Sequence, residues 1–131
     1  MFNKKKQPPI KSLIASGSQI AGNMMFTDGL RVDGEVSGNL RASDDTASIL
    51  VISESATVMG EVVADHIIIN GTVKGPVHAR HMLELQPKAR IEGDIQYAAL
   101  EMHQGALITG QLRPLLEQEE KPTLKLAANN Q

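Results

Sequence analysis

One short cassette, apolar–x–Gly–x–apolar, recurs six times between residues 20 and 112. It reads Ile20-Ala-Gly-Asn-Met24, Val36-Ser-Gly-Asn-Leu40, Val58-Met-Gly-Glu-Val62, Val73-Lys-Gly-Pro-Val77, Ile91-Glu-Gly-Asp-Ile95 and Ile108-Thr-Gly-Gln-Leu112. Successive cassettes start 16, 22, 15, 18 and 17 residues apart, a mean of 17.6. A unit this short has one apolar face and nothing to bury it against. It folds only by stacking on its neighbours.

Inside each cassette apolar residues alternate with others at period two, the pattern of a strand with one face in and one face out. β-Branched residues dominate, which suits a pleated surface. The runs are only about 5 residues long and are broken by Gly, Asn or Asp. Six residues ahead of each cassette lies another apolar residue: Ile14, Leu30, Ile52, Ile67, Leu85 and Met102. Two residues ahead the side chain is small: Ser18, Gly34, Ala56, Gly71, Ala89 and Ala106. The closest internal match aligns Leu30–Leu40 with Ile67–Val77 without a gap.

The expected fold is all-β, a single-stranded parallel β-helix of about six coils, each carrying one sharp corner at the cassette glycine. At the ~4.8 Å strand spacing, six coils make a rod about 30 Å long. The inward residues form ladders of Val, Ile, Leu and Ala. A narrow aliphatic column leaves no room for rings, in keeping with one Tyr, two Phe and no Trp. The 22-residue spacing holds the small polar stretch 42–48, read as a loop bulging from a corner. Left-handed β-helices of hexapeptide acyltransferases also use coils of about 18 residues, but in runs of apolar–Gly–x–x–x–x units. Here Gly follows the apolar residue by two and occurs about once per turn, which favours the right-handed form.

Net charge is −2 and there is no Cys. These exclude a nucleic-acid footprint on the rod, a disulfide framework and a thiolate metal site. The start is basic but runs into Gln7-Pro8-Pro9 without an apolar core, unlike a signal peptide. No phosphate loop is present. Ser16, Ser18, Ser53 and Ser55 have no His at a motif spacing. Glu35, Glu61, Asp65, Glu84, Glu92, Asp94 and Glu101 read as a solvated outward face. His66, His78, His81 and His103 read as surface histidines, since a zinc site also needs a second shell and an open position. The expectation is no catalytic residue, no cofactor and no metal, in a cytoplasmic protein.

Residues 1–11 hold four Lys and no acid. Phe2 suits insertion into a membrane interface. Lys4, Lys5 and Lys6 suit anionic head groups, each worth about 1 kcal/mol near the surface. Such an anchor is weak alone and strong when multiplied along a polymer. Residues 114–131 read as a flexible, Pro-containing tail, with Leu124 and Leu126 as possible partner anchors. Residues 12–113 are the rod. Its end coils expose unpaired backbone and an apolar cross-section, and the flanking Leu13 and Leu115-Leu116 cap them poorly. Poor caps predict stacking of molecule on molecule.

The repeats Val32-Asp-Gly-Glu-Val-Ser-Gly-Asn-Leu40 and Ile69-Asn-Gly-Thr-Val-Lys-Gly-Pro-Val77 resemble those of the bactofilins, bacterial polymer-forming cytoskeletal proteins. So does the plan of basic tail, rod and Pro-containing tail. The opening Met1-Phe2-Asn3-Lys4-Lys5-Lys6 is similar to the family's membrane-targeting peptide. The resemblance implies a right-handed, roughly triangular β-helix. It implies nucleotide-independent, non-polar filaments joined end to end at the inner face of the cell membrane. It implies partners among cell-wall or polarity proteins, and roles in cell shape. Family members often carry a Phe near the C-terminal end of the rod that supports polymer contacts. This chain has no Phe beyond Phe26, so Leu107, Leu112 and Leu115, with Leu13 and Ile14 at the other end, are the expected polymer contacts. Two rival readings are a left-handed β-helix enzyme, of acyltransferase or zinc carbonic anhydrase type, and a non-polymerising adaptor.

Overall fold

The computed structural model describes residues 7–115. Every regular element among them is a β-strand, fifteen in all, and every strand pairing is parallel. The strands wind into a β-solenoid of six coils with three faces. The first face carries Ile10–Ile14, Asp28–Val32 and Ser48–Ile52, then the second halves of Val62–Ile69, Val77–Leu85 and Ile95–Met102. The second face carries the front of each cassette, from Gln19–Ala21 to Leu107–Thr109, in a six-stranded sheet. The third carries its rear, from Met24–Phe26 to Leu112–Pro114. In each of Val62–Ile69, Val77–Leu85 and Ile95–Met102 the chain passes from third to first face within a continuous strand, and a register shift between Ala79 and Met82 marks the bend.

Stacking places equivalent residues above one another. On the second face the first cassette residues form one ladder: Ile20, Val36, Val58, Val73, Ile91 and Ile108. On the third face the last cassette residues form another: Met24, Leu40, Val62, Val77, Ile95 and Leu112. All the members in coils 2 to 5 are buried. Close-packed aliphatic ladders of this kind supply the core that no single coil has.

The cassette glycines form a ladder of their own at the corner between the second and third faces. Gly38, Gly60, Gly75, Gly93 and Gly110 have φ between +149° and +156°. A Cβ on any of them would lie within 2.4 Å of the carbonyl oxygen of the glycine one coil earlier. Both the backbone angle and the close approach therefore demand glycine. The residue after the glycine then pins the next coil: Asn23 Oδ1 accepts from Asn39 N at 3.0 Å, Asn39 Oδ1 from Glu61 N at 2.8 Å, and Asp94 Oδ1 from Gln111 N at 3.1 Å.

At the corner between first and second faces the structure revises the six-residue spacing. Ile14, Val32, Ile52, Ile69, Leu85 and Met102 are the register partners. Val32 and Ile69 thus stand where the spacing put Leu30 and Ile67. Coils 1, 3, 5 and 6 turn through a four-residue bend, closed by bonds such as Ser18 N to Ala15 O at 2.9 Å and Ala56 N to Ser53 O at 2.9 Å. Coils 2 and 4 cut the corner two residues shorter, at Asp33-Gly34 and Asn70-Gly71. This explains why those two coils align with each other without a gap. Leu30 and Ile67 remain inward, fully buried, in the neighbouring ladder with Leu50 and Leu83.

Two further expectations need correction. Rings do enter the column. Phe26 is buried in coil 1 and Tyr97 packs partly against the core. Both stand in the ladder that is Ala42, Ala64 and Ala79 in coils 2 to 4. Alanine in the middle coils leaves lateral room, and the rings fill the column toward its ends. Asp65 is also no solvated acid. It accepts from Ser48 N at 3.1 Å while its own N–H donates to Ser48 Oγ at 3.0 Å. The loop at 43–47 does bulge, between Leu40–Ala42 and Ser48–Ile52, and residues 44–47 are exposed. Arg80 staples its base. It donates to Asp65 Oδ1 at 3.1 Å, Asp44 Oδ1 at 2.7 Å and Ala42 O at 3.1 Å.

Candidate functional site

The end coils expose part of what the inner coils bury, while Ile14 and Phe26 of coil 1 stay buried. Strands of coils 1 and 6 pair on one side only among the described residues, leaving a row of backbone N–H and C=O groups open at each end. The inward ladders open at the same places. At the first end Ile20 is 37% exposed, and at the last end Met102 is 46% and Leu112 41% exposed. Their partners in coils 2 to 5 are at most 1% exposed. Met24 at one end, and Leu100 and Ile108 at the other, are partly buried against the column.

The five expected polymer contacts fall into three groups. Ile14 and Leu112 stand in the inward ladders of coils 1 and 6. Leu13 and Leu107 instead alternate outward on lateral faces, where they pair in register with Arg31 and Arg90, and both are exposed. Leu115 follows the last strand and is half-buried, its N–H bonded to Tyr97 O at 2.6 Å. Sequence reasoning passed over Ile20, Met24, Met102 and Ile108 as end residues. The signal was present, since the first and last copies of any inward repeat position must line the end cross-section. Phe2, Lys4, Lys5 and Lys6 lie outside the described residues.

Beside the Arg80 staple, two clusters stand out on the polar surface of the described residues. On the first face Glu84 and Glu101 are register partners, and like charges directly opposite repel. His103 Nε2 sits between them, 3.0 Å from Glu101 Oε2 and 3.6 Å from Glu84 Oε2. Gln86 Nε2 donates to Glu84 Oε2 at 2.8 Å. The three side chains offer ligand atoms within 4.8 Å of one another, a spacing that can hold a metal ion. His78 and His81 are not gathered with them: His78 lies on the third face, and exposed His81 stands at the bend, 3.9 Å from Asp65. His66 lies further along the first face, where burial lowers the ring's pKa against the opposing pull of Glu84 and Glu101. At the shortened corner of coil 2, Ser53 Oγ donates to Asp33 Oδ1 at 2.5 Å. That bond holds the carboxyl below its usual range, against partial desolvation and with help from Arg31. Beside it an open trough of about 610 Å³ runs along the first face, floored by Val51 and Ile68 and edged by Arg31, Asp33 and Glu54. Ser53 and Ser55 serve this corner structurally, the latter donating to Asp33 O at 2.9 Å.

Comparison with known proteins identifies the family. Residues 12–113 match the family model described as bactofilin, polymer-forming cytoskeletal. Over 93 residues the chain is 29% identical to the protein named Bactofilin BacP of Myxococcus xanthus (strain DK1622), an alignment covering 71% of this chain and 37% of that protein. The chain thus spans little more than a third of that relative's length. No solved structure matches. With the family model covering nearly all of the solenoid, the chain belongs to the bactofilin family of polymer-forming cytoskeletal proteins.

Proposed function

We propose that the two open ends of the rod are the polymer contacts, and that they join like to like. The observation that carries this reading is the exposure of Ile20, Met102 and Leu112, inward ladder residues that are buried in every inner coil. Covering each would remove apolar surface from water, and pairing the edge strands would satisfy their backbone groups. The two ends differ in chemistry. Ser12, Ser18 and Ile20 mark the first, and Met102, Ile108 and Leu112 the last. Two-fold contacts are the commonest way for identical chains to meet. First end on first end and last end on last end gives a filament without polarity. The chain has no phosphate loop, so assembly runs without nucleotide. Residues 1–6 hold the filament at the inner membrane surface through Phe2 and Lys4 to Lys6. In the cytoplasm, the filament then organises cell-shape or cell-wall proteins along that surface.

Electron microscopy of the purified protein without nucleotide tests the filament directly; monomers across a range of concentration and salt would refute it. Substituting one end at a time tests the polarity. With Leu112→Glu, or separately Ile20→Glu, like-to-like joining leaves the untouched ends able to pair, so light scattering should report dimers. Head-to-tail joining predicts monomers from either substitution alone, and that result would sink the non-polar filament.

A further inference from the structure

The chain enters the rod across one lateral face. Ile10 opens the first strand of coil 1 and pairs with Gly29 of coil 2. Just ahead of it Pro9 passes over Gly29, where a Cβ would meet Pro9 O at 2.5 Å and Ile10 Cα at 2.8 Å. Gly29 is needed here for space, so that backbone can lie on backbone. Gly29, Ile49 and His66 are register partners in coils 2, 3 and 4. They form an outward ladder of the first face, because their neighbours Leu30, Leu50 and Ile67 point into the column. Ile49 is nonetheless only 6% exposed, and Gln7 Nε2 donates to His66 Nδ1 at 3.2 Å. From Ile10 to Gln7 the chain therefore crosses the strands from coil 1 toward coil 4: three residues of backbone span at most about 11 Å, and the Gln7 side chain covers the rest of the way to His66.

Gln7 is where the basic segment 1–6 joins. Six residues reach at most about 20 Å when fully extended, and a five-residue strand face is itself about 17 Å wide. From the His66 margin of the first face, next to the bend, such a segment reaches a bilayer lying along that face. A bilayer on the second face would require it first to cross nearly that whole width, using most of its length; the third face lies just across the bend and is told apart by a label at Gln96. Of the outward side chains of coils 1 to 4 on this face, Leu13 and Arg31 are exposed and Val51 and Ile68 half-buried, with Asp33 and Glu54 along the edge toward the second face. The carboxylates Glu84 and Glu101 lie beyond the exit point, in coils 5 and 6.

We propose that the first face is the membrane-facing side of the rod, held against an anionic bilayer by the segment that leaves it at coil 4. This rests on reading residues 1–6 as the membrane anchor. The rod then lies parallel to the bilayer, and both ends stay free, so that anchoring and end-to-end joining do not compete.

The chain has no Cys, so single cysteines report cleanly. Arg31→Cys and Ile68→Cys place a fluorophore on the first face, Thr72→Cys on the second and Gln96→Cys on the third. Full-length protein is bound to phosphatidylglycerol–phosphatidylethanolamine vesicles carrying a head-group quencher. The two first-face labels should be quenched several-fold more than the others. Gly29→Leu, which displaces Pro9, should even out the labels while vesicle binding persists. Equal quenching of all labels in the otherwise native chain, or stronger quenching at Thr72→Cys or Gln96→Cys, overturns the face assignment and leaves the anchor standing. Failure of every variant to bind vesicles removes the anchor reading, and the face assignment with it.

Discussion

Substituting Gly75 by Ala probes the glycine ladder in the middle of the rod. Gly75 has φ +156°, and a Cβ would stand 2.3 Å from Gly60 O and 2.6 Å from Gly60 C. Two costs combine. An L side chain at that backbone angle is strained by about 1–3 kcal/mol. The clash is with backbone, not with a flexible side chain, so coil 4 must lift from coil 3; forced overpacking of this kind costs about 1–3 kcal/mol. Lifting also stretches the corner bond between these two coils, Gly60 N to Lys74 O at 3.0 Å. The expected loss is about 2–6 kcal/mol, against a total stability of about 5–15 kcal/mol for a domain this size. Gly22 supplies the control. It has φ +128°, but a Cβ there would meet no heavy atom within 4 Å, because Gly22 belongs to the first coil of the stack. Gly22→Ala should therefore cost only the strain, about 1–3 kcal/mol. Urea denaturation followed by far-UV circular dichroism, at one fixed protein concentration because assembly shifts apparent stability, measures both. Equal losses at the two positions would refute the close approach of coils as the reason for glycine.

Arg80→Ala removes three hydrogen bonds at the base of the 43–47 loop and leaves half-buried Asp65 short of a partner. It should cost about 1–3 kcal/mol and make the loop a preferred site of limited proteolysis; an unchanged cleavage pattern would count against the staple. Acidification should release the N-terminal crossing. Burial lowers the folded pKa of His66, so its contribution is complete above the free value of about 6.5 and is lost as pH falls through the lower folded value. A protonated Nδ1 cannot accept from Gln7. Side-chain amide exchange at Gln7 should accelerate below that range, and His66→Ala should abolish the pH dependence. Asp33 gives a second, more acidic window. Its bond from Ser53 lowers the folded pKa, so the stability it adds is present above about 3.9 and disappears as pH falls through the lower folded value. Ser53→Ala should weaken that acid dependence in a pH titration of the unfolding midpoint.

The repeat was legible because stacking imposes it. Each inward position must be apolar in every coil, and each cassette corner must be glycine, so coil number, core ladders and the bulge at 43–47 all show in the residue pattern. Corner length was less visible. Leu30 and Val32 are both inward and apolar, so the pattern accepts either as the partner of Ile14, and only the backbone register chooses Val32. The candidate assembly surface was half legible for a related reason. Leu107 looks like an end residue in the chain, but strand alternation turns it outward, while Met102 looks like a member of the core and opens at the end. The sequence by itself determined that this protein is a stack, since a repeat of 17.6 residues has no other way to bury its apolar face. Only the tertiary structure decided which side chains share a surface. Glu84, Glu101 and His103 meet, and Gln7 reaches His66 across 59 positions, because neighbours along the rod are a whole coil apart in the chain. That distance is set by corner lengths, which local pattern does not encode.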